Sequence, residues 1–349
     1  MTLSEVAKAS GFSPSTVSIV LNEAPLSRYI AASTKLKIRE TAQQLGYRPN
    51  VFARSLRSSK TQTIGVLVID LADPYCTLIL QGIERKLRET PYLPIIMDAH
   101  SEPEQVERYI ELMMERRVDG LITVANWMLF DISVLEDIGH GHLPTVVVGR
   151  DVQSPSIDCV LVDNEAGGHS ALQHLYELGH REIAIICGPR GLGDSRLRLK
   201  GIHRFAKSVD LRLNPALIKS LPDIFRSASS FDGSRKLIHK FLDSGEAFSA
   251  VLAFDDLAAY GAIRALSERN LRVPDDISVI GFDDIPTAAI STPSLTTIRQ
   301  PMVRMGEFAA ESVLTALRLN EKEKEALSAS THLLPAELVS RGSTVKNTR

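Results

Sequence analysis

Residues 2–22, TLSEVAKASGFSPSTVSIVLN, constrain the chain more than any other segment, because their punctuation fits two short helices joined at a glycine. Thr2 and Glu5 have the spacing of a capping box, in which hydroxyl and carboxylate each satisfy an orphan amide, so the first helix starts at Leu3. Val6 and Ala7 are apolar, Gly11 can take the left-handed turn, and Ser13 before Pro14 supplies an N-cap and a first helical residue for the second helix. There Val17, Val20 and Leu21 fall at i, i+3 and i+4 toward a small core, while the early Ser15 and Thr16 stay outside. A polar tip and an apolar back suit a recognition helix in a major groove, so the segment points to DNA. An ordinary helical hairpin shares the periodicity, and the residues that follow discriminate.

A third helix is expected over 33–46, with Ser33 as cap, Ile38, Ala42 and Leu45 on one face, and Gly46 at the stop. After Tyr47, Arg48 and Pro49, Asn50 caps a segment Val51–Arg57 that is too short to be a stable helix alone in water and should fold only against a partner. Residues 1–60 carry nine Lys or Arg against three Asp or Glu, a net +6 in a chain of total charge −2, which leaves −8 on the rest. A basic excess confined to a small headpiece and followed by the polar linker Ser58–Gln62 fits phosphate neutralisation, which salt weakens.

From Thr63 the pattern changes to apolar runs alternating with amphipathic stretches. Ile64–Ile69, Leu93–Met97, Gly120–Val124 and Thr145–Val148 read as buried parallel strands, 77–90, 103–117 and 131–139 as crossover helices, and the alternation restarts at Cys159, Ile183, Ile218, Val251 and Ser278. With 349 residues the chain exceeds the roughly 100–200 of a single core. The expected class is therefore α/β: an N-terminal all-α helix-turn-helix headpiece plus two doubly wound lobes. The first residues lack an apolar leader core, and no apolar run approaches the ~18 residues of a membrane span, so the expected location is cytoplasmic. Cys76, Cys159 and Cys187 are odd in number with no CxxC spacing, which argues against a disulfide framework or a thiolate metal site. No cofactor is implied.

Open sheets bind ligands beyond the carboxyl ends of their strands. The polar residues there are Asp73 with Tyr75, Arg150, Arg196 with Arg198, Asp255 with Asp256, and Asp283 with Asp284. Carboxylates and guanidinium groups bind vicinal hydroxyls in pairs, and an aromatic ring such as Tyr75 or Phe225 covers a sugar face, so a small polyol or sugar is favoured. Asp256 and Asp284 are more simply helix caps or hinge contacts. A second reading is a magnesium-dependent sugar or sugar-phosphate enzyme built on the strand-end aspartates. Its glycine signal is weak, since Gly188–Gly193 matches neither GxGxxG nor GxxxxGK[ST]. His169 and His174 are five apart and His140 with His142 sit in a loop, spacings that suit no helix-borne metal pair.

These residues resemble the LacI/GalR family of bacterial transcription regulators over nearly the whole chain. The family's Thr-Val-Ser-x-Val-Leu-Asn stands at Thr16–Asn22, Leu-Gly-Tyr-x-Pro-Asn at Leu45–Asn50, and Ala53 with Leu56 match its hinge helix. The resemblance implies DNA contacts from Thr2, Ser4, Pro14, Ser15, Thr16, Ser18, Ile19, Asn22, Arg28, Tyr47, Asn50, Ala53, Arg54, Leu56 and Arg57. The hinge helices of two subunits would order together in the minor groove, Leu56 wedging between base pairs. It also implies a periplasmic-binding-protein core without export, a homodimer on a near-palindromic operator, and effector contacts from Asp73, Tyr75, Arg150, Arg198, Phe225, Asp255 and Asp283. By the same resemblance the headpiece is 1–49, the hinge and linker 50–62, the N-lobe 63–161 with 292–322, the C-lobe 162–291 with 323–340, and the tail 341–349, with crossovers near 161, 291 and 322. Four departures stand out, the first being a loop from Pro25 to Ala32 longer than in the best-known members. Ile19 replaces an arginine and favours apolar contact such as a thymine methyl, Gly149 replaces an aspartate, and Asp255 replaces an asparagine, so neither operator nor effector identity carries over.

Overall fold

A computed structural model describes residues 1–47, 60–125, 143–222, 228–319, 323 and 329–348. The chain divides into two compact units, Met1–Thr61 and Gln62–Arg349.

The first unit holds α1 (Leu3–Ser10), α2 (Pro14–Leu21) and α3 (Ala32–Gln44), with a 3-10 turn at Pro25–Tyr29. The capping box is formed: Glu5 N donates to Thr2 Oγ1 at 3.3 Å, and Thr2 N donates to Glu5 Oε2 at 2.6 Å. Gly11, at φ +77°, ends α1, and Ser13 Oγ accepts from Thr16 N at 3.2 Å ahead of Pro14. Val6, Ala7, Val17, Val20, Ile38 and Ala42 form the buried centre, with Leu21 and Leu45 packed around it. The third helix starts one residue earlier than its sequence suggests. Ser33 lies inside the first turn, and Ala31, at the cap position, offers no side-chain acceptor.

In the second unit, β1 (Thr63–Val68), β2 (Leu93–Asp98), β3 (Gly120–Val124), β4 (Thr145–Val148), β5 (Asp158–Val162) and β11 (Thr331–Leu334) form one six-stranded sheet in the order 11-5-4-3-1-2, parallel throughout. A second sheet has the order 12-10-9-8-6-7, from β6 (Ile183–Cys187), β7 (Ile218–Ser220), β8 (Ala250–Leu252), β9 (Ser278–Asp283), β10 (Thr296–Arg299) and β12 (Glu337–Val339). It is parallel except for β12, which runs antiparallel to β10. Both sheets reverse direction of growth beside their first strand, β1 in one and β6 in the other, which is where a doubly wound sheet opens a crevice.

Two lobe assignments implied by the resemblance are corrected. Thr296–Arg299 pairs with Ser278–Asp283 in the C-lobe sheet, so the chain does not cross near 291, and Thr331–Leu334 belongs to the N-lobe sheet, so it does not cross near 322. The crossings fall at Asp163, at Gln300–Pro301, and between Leu334 and Glu337. The cause is the character of these strands: TTIR is half polar although Thr296 and Thr297 are fully buried, and THLL alternates as a half-exposed edge, so neither shows as an apolar run. The helix after β1 also begins earlier than 77, because Asp73 caps it and Pro74 opens it: α4 is Pro74–Leu87 and α5 is Pro103–Glu115. The expected helix over 131–139 lies outside the described residues. Residues 341–347, read as a polar tail, are stitched to the C-lobe. Ser343, fully buried, donates to Val279 O at 2.6 Å and accepts from Thr296 N at 2.8 Å, and buried His180 places its ring nitrogens against Ser249 Oγ and Val345 O.

Helices pack on each sheet by backbone approach at glycine. In the N-lobe, α4 meets α11 (Met302–Ala316), where a Cβ on Gly82 would collide with the Val303 carbonyl and one on Gly306 with the Ile79 carbonyl. In the C-lobe, α6 (Asn164–Glu177) meets α7 (Gly193–Ser208) in the same reciprocal way, through Gly168 against Arg198 and Gly201 against Glu165. The second contact matters for the site, because it fixes the backbone of Arg198.

Candidate effector cleft and DNA-facing headpiece

In the headpiece, Thr2, Ser4, Pro14 and Ser15 are exposed, Thr16, Ile19 and Tyr47 are half-buried, and Arg28 is exposed with its guanidinium 4.7 Å from the Tyr29 ring centre. Thr16 Oγ1 lies 2.8 Å from Ser13 Oγ, so its hydroxyl is shared with the helix cap. Ser18 departs from the expected contact set. It is 8% exposed, and the Asn22 amide donates to its carbonyl at 2.9 Å and its hydroxyl at 3.2 Å, closing the C-terminal end of α2. Ser18 is drawn inward because Val17 and Val20 flank it on the buried face. Arg48, Asn50, Ala53, Arg54, Leu56 and Arg57 lie outside the described residues.

In the core, five of the seven expected effector contacts converge. Asp73, Tyr75, Arg198, Asp255 and Asp283 line one small cavity of ≈ 30 Å³, together with Asp194, Phe254 and Gln300. Arg150 instead lines an adjoining, wider chamber of ≈ 440 Å³ with Arg196, Lys200 and the Gly191–Gly193 turn; Asp194 borders both. Phe225 lies outside the described residues. Asp73 and Tyr75 come from the N-lobe, the others in this set from strand ends and helix starts of the C-lobe, and Gln300 from a crossover.

Arg198 is the organising cation. At 7% exposed, its Nε donates to Asn164 Oδ1 at 2.7 Å and its Nη1 to the Phe254 carbonyl at 2.6 Å, while Nη2 lies 4.0 Å from Asp283 Oδ1. Its guanidinium carbon sits 3.6 Å from the Phe282 ring centre and 4.5 Å from that of Phe254, a stacked geometry that a lysine could not reproduce. Gly188 allows the Phe254 ring to come this close, since a Cβ there would fall 2.5 Å from it.

The aspartates divide by environment. Asp73 Oδ1 accepts from Tyr75 N at 3.0 Å and caps α4. Asp255 Oδ1 accepts from Ala258 N at 2.6 Å, capping α9 (Asp256–Glu268), and from Ser230 Oγ. Asp256, fully buried, accepts from Ile285 N and from Thr297 Oγ1, so it braces the site from behind. Asp283 and Asp284 both have positive φ, 124° and 61°, a strained corner for residues other than glycine. Ion pairs from Arg299 (2.7 Å) and Arg341 (2.6 Å) to Asp284, and the Gln300 amide donating to Asp283 Oδ1 at 2.6 Å, hold that corner. Burial pushes the carboxyl of Asp283 well above its ordinary range, that of Asp255 upward, Asp194 up to about 6 and Asp256 up to about 8. Tyr75 is raised for the same reason, and the negative charges of Asp194 and Asp283 add to the shift.

Sequence reasoning missed Asp194, Asn164, Phe254 and Gln300. Asp194 had a usable signal, a carboxylate just past the glycine turn after β6, whereas Gln300 follows a strand too polar to be noticed. Among the described residues no group of three or more His, Cys, Asp or Glu is arranged to hold a metal ion, and no helix is long and apolar enough to cross a membrane. Of the paired strand-end aspartates, Asp255 caps a helix, Asp256 braces the site from behind and Asp284 pairs with Arg299 and Arg341.

A basic helix-turn-helix unit followed by a two-lobed core with a polar cleft defines a DNA-binding regulator of transcription. Residues 2–50 match the pattern described as bacterial regulatory proteins, lacI family, and residues 172–344 match the periplasmic binding protein-like domain. The chain is 31% identical to the HTH-type transcriptional repressor PurR of Aliivibrio fischeri (strain MJ11), over 98% of each chain. It superposes on a lac repressor dimer bound to operator and the anti-inducer ONPF with a TM-score of 0.84, 28% identity and 99% coverage of both chains. A complex of the transcriptional regulator CelR with cellobiose gives 0.70 at 26% identity, covering 98% of this chain and 99% of that one. The chain belongs to the lacI family of bacterial regulatory proteins.

Proposed function

We propose that the chain is a cytoplasmic homodimeric repressor that binds a near-palindromic operator and responds to a small carbohydrate-like effector held between the core lobes. The observation that carries the effector half is the convergence of Asp73 and Tyr75 from one lobe with Arg198, Asp255 and Asp283 from the other. Asn164 follows the first crossover and Gln300 lies at the second, so a ligand touching Arg198 and Gln300 acts on the segments about which the lobes move. An effector that prefers one lobe arrangement changes operator affinity by that preference, typically about 1–3 kcal/mol. The ligands in the related structures, cellobiose with CelR and ONPF with the lac repressor, support a saccharide-like occupant.

Selection from a random duplex library at moderate salt tests the DNA half. The full chain is expected to enrich a near-palindrome, residues 61–349 to enrich nothing, and Leu56→Ser to lose the enrichment through loss of the minor-groove wedge. Equal enrichment by residues 61–349 would overturn the headpiece reading, and an unchanged Leu56→Ser variant would remove the wedge.

A further inference from the structure

We propose that the effector is an amine-bearing polyol, such as an amino sugar, whose protonated nitrogen sits against Asp194, Asp283 and Gln300. This rests on the reading of the interlobe cavity as the effector site and narrows its ligand.

The cavity wall is rich in acceptors and poor in donors. Among the described residues four carboxylates line it, from Asp73, Asp194, Asp255 and Asp283, against one guanidinium, Arg198. That guanidinium is largely committed: Nε is bonded to Asn164 and Nη1 to the Phe254 carbonyl. Asp73 and Asp255 are satisfied by helix-start amides. Asp194 differs, since no described residue donates a hydrogen bond to its carboxylate. Asp283 receives the Gln300 amide and lies only within 4.0 Å of Arg198.

An independent observation points to the same missing group. Gln300 is 4% exposed and lines this cavity, yet its Oε1 is buried without a hydrogen-bond partner while its Nε2 serves Asp283. A buried carbonyl oxygen left unpaired is costly, so a bound donor satisfies it. A neutral sugar hydroxyl could donate to these oxygens, but it would bring no charge to offset the ionised Asp194 in a water-poor space. An ammonium group brings three donors and the absent charge together. Burial pushes the carboxyls of Asp194 and Asp283 upward, and an ammonium beside them would bring both back down.

The experiment is isothermal titration of the full chain at pH 7.5 and fixed ionic strength with matched sets: glucose, glucosamine and N-acetylglucosamine; the galactose and mannose equivalents; and sorbitol with glucamine. At least one free amine should bind ten-fold or more tightly than its hydroxyl parent, with the advantage lost on N-acetylation. Asp194→Asn should bring that ratio toward one, and Gln300→Met should weaken the amine more than the parent. Thermal unfolding of both variants establishes that they fold. Binding of a neutral sugar as tightly as or more tightly than its amine in every set would overturn the inference and leave the effector cleft intact. No binding in any set would overturn both.

Discussion

Replacing Arg198 by alanine is expected to abolish the effector response and to lower the stability of the core by about 3–5 kcal/mol, the cost of removing one partner from a buried charged network. The guanidinium is 7% exposed, and its loss leaves the Asn164 Oδ1 and the Phe254 carbonyl without their donor. It also leaves Asp194, Asp255 and Asp283 without the one cation that the described residues bring to their cavity, and opens the slot between Phe254 and Phe282. Arg198→Lys separates the two effects. It keeps a positive charge but lacks the planar fork that stacks and bonds at once, so it should recover part of the stability and none of the response. Operator affinity without effector should be preserved in both, since the headpiece is a separate compact unit. Urea unfolding and effector-dependent release of a labelled operator are the measurements. A retained response would place the effector elsewhere, the chamber around Arg150 and Arg196 being the alternative.

The headpiece was legible because each signal is local. A capping box, a glycine at positive φ and a Ser-Pro start need only neighbouring residues, and each stands in the structure as its sequence implies. The strands of the parallel sheets were legible because burial on both faces forces continuous apolar runs. The lobe crossings were not, since a six-stranded sheet accepts a short polar strand such as Thr296–Arg299 once its neighbours supply the hydrogen bonds, and no local pattern records which sheet that is. The same limit hid Gln300, which enters the cleft only because β10 lies beside β9. Among neighbouring aspartates, Asp256 and Asp284 were read as caps or hinge contacts and do stand behind the cleft, but the groups they hold are set by tertiary contacts. Asp255 caps a helix and faces the cavity, while Asp256 turns to Thr297 and Ile285 behind it.

Raising the pH from 6.5 to 8 is expected to destabilise the core by about 2 kcal/mol, with Asp256 as the principal cause. Its carboxyl is displaced upward by burial from 3.8 to about 8, so in this window the folded state holds a proton that the unfolded chain has released. Its contribution is then fully present below pH 3.8 and is lost as the pH climbs toward 8, at about 1.4 kcal/mol per pH unit. Asp255 and Asp283 are displaced in the same direction and add to the slope, whereas Asp194, at about 6, has mostly titrated before the window opens. His174 and His180 oppose it: burial depresses both below 6.5, so they favour the fold as pH rises through that value, and their effect fades about one pH unit above it. Comparison with a variant that keeps both histidines therefore isolates the carboxyl. Asp256→Asn is the decisive variant, because an amide can still accept from Ile285 N and donate to Thr297 Oγ1 but carries no titrating proton. Its urea midpoint should be close to that of the parent at pH 6.5 and should move much less by pH 8. An undiminished slope in the variant would mean that Asp256 is ionised in the fold at neutral pH, with Thr297 and the Ile285 amide sufficient to hold its charge.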